Sequence, residues 1–499
     1  MSTDTPLITH WIDGHAHSAP AGRTGNVFNP ATGSVAAQVA FASEDDVDTA
    51  VASAVAAATS WGETSLAART AVLFSARERL AASVDELAAI VTSEHGKVLS
   101  DAAGEIKRGL EVVEYACGLA ALLQGAHTEN ASTGVDVHSV QHPVGVVGVI
   151  SPFNFPVMVP LWFVRIAIAC GNAVVLKPSE KDPSAAVFLG QLFSEAGLPD
   201  GVFNVVHGDK SAVERLLTHP DVAAISFVGS TPVACSVYEI GTSHGKRVQA
   251  LGGAKNHMVV LPDADLDNAA DAAVSAGFGS AGERCMAVSV IVAVGPVGDE
   301  LVSKITERVA QIRVGDGRHT DSEMGPLITA EHRDTVDSYL DAGVEAGAKL
   351  VVDGRDHTVE GAGFWLGPSL LDRVNTDMSV YTEEIFGPVL SVVRVDTFDE
   401  ALALVNANPY GNGTAIFTAD GGAARQYQRR VHVGMVGVNV PIPVPVSSYS
   451  FGGWKASMFG DTHAYGPHGV HFFTRTKVVT TRWPDPNERG VDLGFPQNT

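Results

Sequence analysis

Apolar residues recur at helical spacing in three successive stretches near the start of the chain. Residues 43–61 read as a helix, with Ser43 and Asp46 in capping-box spacing. Residues 66–94 read as one long Ala/Leu-rich helix ending near Gly96, and residues 101–123 as a third. The period then drops to two: Val135 and Val137 alternate with Asp136 and His138, as in a half-exposed strand, and 144–150 is continuously apolar, as in a buried one. Beyond it, strands at 173–176, 203–206, 223–228 and 246–251 alternate with helices at 184–196, 211–218 and 232–240. Repeated β-α-β units of this length predict a doubly wound parallel sheet, whose ligands bind beyond the carboxyl ends of the strands. Lys177, Glu180, Gly229 and Ser230 fall there. A second α/β run begins near His257, with strands at 287–294 and 389–395 and helices at 299–312, 330–348 and 399–406. The tail 469–479 reads as one more strand. It is expected to pair with the isolated 135–141 strand, since neither has an obvious neighbour. No repeat or heptad pattern interrupts this alternation.

The chain's 499 residues exceed what one compact core holds, and 45% hydrophobic against 18% charged residues excludes disorder as the main state. A formal net charge of −23 disfavours nucleic acid or an anionic membrane as partner, leaving room for a local basic pocket that takes one anionic metabolite. Four cysteines are too few for a disulfide scaffold and fit a reducing compartment. The first residues carry no leader-like pattern, and the uncharged stretch 140–164 is broken by Pro143, Pro152, Pro156 and Pro160. A cytoplasmic protein without membrane spans is expected.

Candidate chemistry centres on Gly279–Cys285 (GSAGERC), where small residues leave room around one cysteine. An accessible, electrostatically supported thiolate attacks carbonyls, and Arg284 beside it is a candidate to lower the thiol pKa or to hold an anionic substrate group. Cys117, Cys170 and Cys235 lie in apolar stretches and read as core. With no two cysteines close in sequence and no HExxH, no metal site is expected. Asn154, in a loop rigidified by Pro152 and Pro156, suits a donor to a developing oxyanion. Lys177 and Glu180, at a strand end, suit the two hydroxyls of a ribose, and Gly229 in a strand-to-helix turn would admit a pyrophosphate. No GxGxxG is present, so spacing alone says little about a nucleotide.

Taken in order, FNFP (153–156), KPSE (177–180), FVGST (227–231), LGGAKN (251–256), GERC (282–285), EEIFGPV (383–389), NPYGNG (408–413) and FGGWK (451–455) resemble the aldehyde dehydrogenase superfamily over nearly the whole chain. The resemblance implies an α/β fold with a Rossmann-type NAD domain (1–126 and 143–254), a second α/β catalytic domain (255–452) and a small β bridging, oligomerisation domain (127–142 and 465–485). It implies Cys285 as nucleophile, with Asn154 and the Cys285 N–H as oxyanion hole. Phe153, Gly229 and Ser230 fall to the cofactor, Lys177 and Glu180 to the adenosine ribose, Glu384 and Phe386 to the nicotinamide side. Glu180 would repel a 2′-phosphate, favouring NAD over NADP.

Two departures matter. The glutamate that activates water in hydrolytic members falls on Ala250 or Leu251, depending on register, and neither can take a proton. Ala234 replaces a glycine of the cofactor turn. The segments 152–163, 253–267 and 438–461 resemble the CoA-acylating methylmalonate-semialdehyde dehydrogenase branch, active in valine or inositol breakdown. That branch implies coenzyme A as co-substrate, Arg108 and Arg284 as binders of the substrate carboxylate, and a homo-oligomer, dimer or homotetramer. The competing expectations are a hydrolytic dehydrogenase making a free acid, disfavoured by the vacant base position, and a catalytically silent binding protein, disfavoured by Cys285 and Asn154.

Overall fold

The computed structural model describes residues 5–18, 22–483, 487 and 491; residues 1–4, part of the stretch read for a leader pattern, and 484–485 of the expected bridging segment lie outside these. The first large sheet has the strand order Met458–Phe459, Arg247–Leu251, Val222–Val228, Val146–Ile150, Ala173–Lys177, Phe203–Val205, His10–Ile12, His15–His17. Its five middle strands are parallel and its edges antiparallel. Both faces are buried, which is why these strands read as unbroken apolar runs. Val147 and Val149 point into one helix-covered core with Val174 and Leu176, while Val146, Ile150 and Val175 point into the other. From Val146–Ile150 the chain winds outward through Ala173–Lys177 and Phe203–Val205, then returns to the far side of Val146–Ile150. The loops leaving Ile150 and Val228 therefore meet at a topological switch point, where such sheets bind ligands.

The second sheet has the order Lys349–Val352, Ser369–Asp372, Val389–Val395, Val288–Val294, Asn256–Val260, Gly413–Phe417, Met435–Val438 and encloses its own core. A third sheet joins Thr474–Arg482, Val135–Pro143 and His127–Ser132. Among the described residues no helix is long and apolar enough to cross a membrane.

The helix at Glu44–Glu63 starts at Ser43, whose hydroxyl accepts from the Asp46 N–H while the Asp46 carboxylate accepts from the Ser43 N–H, the reciprocal cap read from spacing. The long helix expected over 66–94 is instead two, Leu66–Ala82 and Val84–His95, separated at Ser83 (φ −103°, ψ 12°). Serine competes for backbone partners and favours helix ends, whereas the apolar periodicity runs on through Leu80, Leu87 and Val91 and hides the break. The third helix, Leu99–Cys117, ends at Gly118 rather than continuing to 123. The tail is likewise divided: Gly466–Phe472 is a short helix with Pro467 in its first turn, and only Thr474–Arg482 is a strand. That strand pairs antiparallel with Val135–Pro143 along its whole length, from Thr474 opposite Pro143 to Arg482 opposite Val135. Val135–Pro143 also has a second neighbour, His127–Ser132, too polar to read as a strand.

Asn172 ties these parts together. Fully buried, it accepts from the Val144 and Gly145 N–H groups (2.8 and 3.0 Å) and donates to Ala167 O and Phe473 O (2.9 and 3.0 Å). One side chain thus satisfies the entry to the central strand, the end of helix Met158–Ala169 and the start of the tail strand. Asn172→Ala removes the partner of the Val144 N–H, the Gly145 N–H and Phe473 O, while Ala167 O keeps the Asn172 N–H (3.0 Å); a buried group left unsatisfied is worth ~1–3 kcal/mol. We expect a loss of roughly 3 kcal/mol or more, read from urea unfolding; a loss below roughly 1 kcal/mol would show that the backbone re-pairs.

Candidate active site

The switch point opens into a cleft of about 910 Å³ lined by Phe153, Asn154, Lys177, Glu180, Gly229, Ser230, Cys285, Glu384 and Phe386. Residues spread over more than two hundred positions of sequence are thus brought to one wall. Lys177 ends its strand buried, donating from Nζ to Gly208 O (3.0 Å) and lying 3.5 Å from a Glu180 oxygen. Burial lowers its pKa, against the pull of Glu180. Ser230 is the N-cap residue of helix Thr231–Ser243, whose first turn carries Pro232 and lines the cleft. A helix start of this kind offers N–H groups to a pyrophosphate, and the buried lysine beside a carboxylate offers a ribose both charge and acceptor. The donor set and the cleft's volume fit a dinucleotide. Ala234, the departure in this turn, is fully buried in the helix and does not obstruct the cleft.

Asn154 is clamped from both sides. Its Nδ2 donates to Glu283 O (3.1 Å), and its own carbonyl accepts from Lys97 Nζ (2.6 Å). Lys97 is in turn paired with Glu105 (2.9 Å), whose other oxygen accepts from the Val157 and Met158 N–H groups (2.8 and 3.1 Å). Phe153 meets Phe386 edge-on at 5.9 Å, and Lys181 lies over its ring at 4.8 Å.

The backbone leading to Cys285 is in a costly conformation. Ser280, Ala281 and Gly282 have φ of 54°, 52° and 76°; two of the three are not glycine, at a typical cost of ~1–2 kcal/mol each. Gly282 has no alternative, since a Cβ there would lie 2.1 Å from Gly387 O. Beyond the turn, Cys285 O accepts from Asn256 Nδ2 (2.9 Å) and Asn412 Nδ2 (3.0 Å), fixing the nucleophile candidate's peptide from the second sheet.

The thiol itself is not activated by its neighbour. Burial pushes Cys285 up to about 12, Glu384 adds to the rise, and the N–H groups of Cys285 and Met286 oppose it, with Arg284 contributing least. Arg284 turns away: its Nη2 pairs with Asp101 at 2.5 Å, and its guanidinium packs where a Cβ on Gly279 would lie 2.5 Å from Nη1. It also lines a separate hollow of about 470 Å³ with Arg308 and Arg313. Arg108 is exposed and paired with Glu111 (2.8 Å). Neither arginine lines the cofactor-sized cleft. Asp101 and Arg108 lie seven residues, or about two turns, apart on helix Leu99–Cys117, so both guanidinium groups flank one face of it.

Ala250 and Leu251 are buried core residues, 0% and 3% exposed, on a strand covered by Met458–Phe459. Neither side chain can take a proton from water. Of the other cysteines, Cys117 and Cys170 are buried as read, but Cys235 is only half-buried, on helix Thr231–Ser243, with its thiol 3.5 Å from Glu239. Ala234 and Val237 belong to the helix's buried face, whereas Val233 and Cys235 do not.

Sequence reading missed Lys97, Glu105, Glu283, Asn256 and Asn412. The asparagines lie inside recognised segments; Lys97 and Glu105 carry no local signal, because nothing in the chain shows that a lysine after a helix and a glutamate within the next will share one buried contact. Glu283 is fully buried and raised to about 8 by burial, opposed by the Ile328 N–H at 3.3 Å and more weakly by Lys181 and Lys97. Its folded pKa lies above the ordinary 4.5, so the stability it contributes is complete below pH 4.5 and is lost as pH rises through 8. Glu283→Gln, permanently neutral, should therefore gain on wild type between those values. Denaturant midpoints at a series of pH values check this; a gap independent of pH would contradict it.

The aldehyde dehydrogenase family profile matches residues 17–479. The chain is 53% identical to a malonate-semialdehyde dehydrogenase of Pseudomonas aeruginosa, covering 98% of this chain and 99% of that one. It is 48% identical to malonate-semialdehyde dehydrogenase 1 of Geobacillus thermodenitrificans, over 97% and 100%. Among solved structures, a methylmalonate-semialdehyde dehydrogenase of Oceanimonas doudoroffii superposes with a TM-score of 0.95 at 51% identity, over 96% and 99% of the chains. A Sinorhizobium meliloti protein provisionally assigned the same activity, crystallised with NAD, superposes with a TM-score of 0.96 at 50% identity, over 97% and 100%.

Proposed function

The chain belongs to the aldehyde dehydrogenase family, and from that premise we propose that it oxidises malonate semialdehyde and methylmalonate semialdehyde with NAD and coenzyme A, releasing CO2 and acetyl-CoA or propionyl-CoA. The observation that carries this reading is the cleft itself: a dinucleotide-sized wall runs from Lys177 and Glu180 to Cys285, and the position of a water-activating carboxylate is filled by the core residues Ala250 and Leu251. The names of the similar proteins support the substrate class.

NAD, held by the Lys177–Glu180 end and the first turn of Thr231–Ser243, supplies a hydride acceptor. The chain's own residues do the rest. Cys285 adds its sulfur to the aldehyde carbonyl, and the developing oxyanion is met by Asn154 Nδ2 and the Cys285 N–H, both preorganised by the bonds described above. Loss of hydride leaves a thioester on Cys285. The β-carboxylate then leaves as CO2, because the thioester carbonyl holds the resulting enolate electrons, and the enolate is protonated. With no base to activate water, the thioester waits for a thiol, and transfer to CoA frees Cys285. Glu180 is an acidic neighbour for a 2′-hydroxyl and a repulsive one for a 2′-phosphate, which supports NAD over NADP.

Arg108 and Arg284 fit a carboxylate by the guanidinium fork. Each would exchange its present carboxylate partner, Glu111 or Asp101, for the substrate's. The division into an NAD-binding domain (1–126 and 143–254), a catalytic domain (255–452) and bridging strands is supported by the separation of the eight-stranded, the seven-stranded and the Thr474–Arg482 sheets, three of the five sheets among the described residues. A homo-oligomer is supported by the outer strand Thr474–Arg482, which leaves Val478 63% exposed at a sheet edge. The free cysteines are in keeping with the cytoplasm.

The deciding experiment supplies malonate semialdehyde, NAD and CoA and identifies the product. Acetyl-CoA and CO2 in equal yield with NADH are expected; free acid formed as fast without CoA would install the hydrolytic alternative. Cys285→Ala should abolish NADH formation, whereas Cys117, Cys170 and Cys235 changed singly to Ala should retain it.

Replacing Arg108 or Arg284 with Leu should lower kcat/KM for malonate semialdehyde by roughly 10–150-fold, the ~1.5–3 kcal/mol of a charge-assisted hydrogen bond. Propanal, which has no carboxylate, should be far less affected. Equal losses on the two aldehydes would assign both arginines a structural role.

A further inference from the structure

We propose that Glu384 takes the proton of the incoming CoA thiol during acyl transfer, doing for a thiol what no residue at Ala250 or Leu251 does for water. The proposal rests on the CoA-acylating reading above.

Glu384 and Cys285 line both the large cleft and a small chamber of about 10 Å³ that shares lining residues with it. The carboxylate is seated on the segment that precedes the second sheet: the Ala254 N–H donates to Oε1 at 2.8 Å. The seat depends on Gly253, where a Cβ would lie 2.3 Å from Oε2 and displace the carboxylate. Other acid–base groups nearby are committed or remote. Glu383 accepts from the Tyr339 hydroxyl (2.5 Å), and His332 Nε2 is 2.7 Å from Phe386 O. Glu283 is fully buried off the cleft, while Glu180, Asp209 and Glu214 line its Lys177 end. Among the described residues, Glu384 is the carboxylate that shares both cavities with Cys285.

Its acid strength suits a thiol. Burial raises Glu384 to about 7, opposed by the Ala254 N–H and by Lys255, itself lowered to about 8. The other groups facing it are Cys285, Tyr410 and Lys255, the last held by its bond to Glu383 O (2.6 Å). A thiol ionises near ~8.5, so proton transfer to Glu384 is nearly balanced, whereas water, near ~15.7, is far out of reach. In the step, the CoA S–H bond breaks and its proton passes to the Glu384 carboxylate. The CoA sulfur bonds to the thioester carbonyl carbon, the bond from that carbon to Cys285 Sγ breaks, and the Cys285 thiolate recovers the proton from Glu384. No electrons leave or enter.

The test omits NAD, so that any contact of Glu384 with the nicotinamide ribose plays no part. Full-length enzyme is acylated with 4-nitrophenyl acetate, the nitrophenolate burst counts acylated sites, and loss of the acetyl group is followed after adding CoA across pH 6–10. Wild type should show a rise in rate with an apparent pKa near 7. Glu384→Gln should lose that rise and be slower by roughly 10²-fold at pH 7, at the lower bound for a positioned base. The deficit should close above about pH 9, where CoA is already a thiolate, and Glu384→Asp should recover part of the rate at pH 7. Matching rates and profiles in wild type and Glu384→Gln would overturn the proposal while leaving the acylating reading intact. So would a deficit of the same size at every pH, the mark of a structural role. Failure of CoA to accelerate deacylation in wild type would overturn both. A burst from Glu384→Gln too small to follow leaves the wild-type profile to decide: no rise near 7 refutes the assignment.

Discussion

A buried ion pair underlies the whole site. Lys97 and Glu105, with side chains fully out of solvent, join at 2.9 Å, and between them they bind three backbone groups of the 154–158 segment. Taking two charges out of water is unfavourable unless every lone pair and proton finds a partner, and here the loop supplies those partners. The dependence runs both ways: the loop holds the pair in register, and the pair holds Asn154 with its amide aimed at the turn that carries Cys285. Losing one member would leave the other charged and uncompensated, a loss typically of ~3–5 kcal/mol. The site is therefore as rigid as the packing of helix Leu99–Cys117 against helices Val84–His95 and Met158–Ala169.

The surroundings of Cys285 are short of uncommitted positive charge. Glu283 and Glu384 are both pushed up by burial, to about 8 and 7, and the thiol is pushed up with them. Arg284, one residue away, is neutralised by Asp101. Within the protein alone, burial and Glu384 outweigh the groups that favour the Cys285 thiolate. Groups raised toward neutrality by the same burial are ready to exchange protons, so a single low-dielectric environment quiets the thiol and tunes the carboxylate that neighbours it.

Strain is concentrated at the same place. Ser280 and Ala281 occupy left-handed conformations, and Phe386, which meets Phe153 across the cleft, has φ of 58°. The turn that carries Cys285 is held from the second sheet by Asn256 and Asn412 and from the first by Asn154, and Phe386 O is bonded by His332. Rigid sheets on both sides make a costly loop conformation persist, and the loop delivers Cys285 to the switch point of the opposite sheet.

Much of this was legible in the chain. Apolar runs with a period of two or none marked the parallel strands, because strands buried on both faces tolerate little else. Ser43 with Asp46 marked a helix start, because capping is a contact between near neighbours. The motifs around Cys285, Asn154, Lys177 and Glu384 named the cleft's lining. Tertiary structure alone decided the rest. The break at Ser83 was invisible because the apolar stripe continues across it, and the strand at His127–Ser132 because its neighbours, not its composition, make it one. The direction of Arg284 and the partnership of Lys97 with Asn154 depend on elements dozens or hundreds of residues apart. A sequence specifies local preference and the face each residue presents; which charges meet, and how deeply they are buried, follows only when the two sheets close on each other.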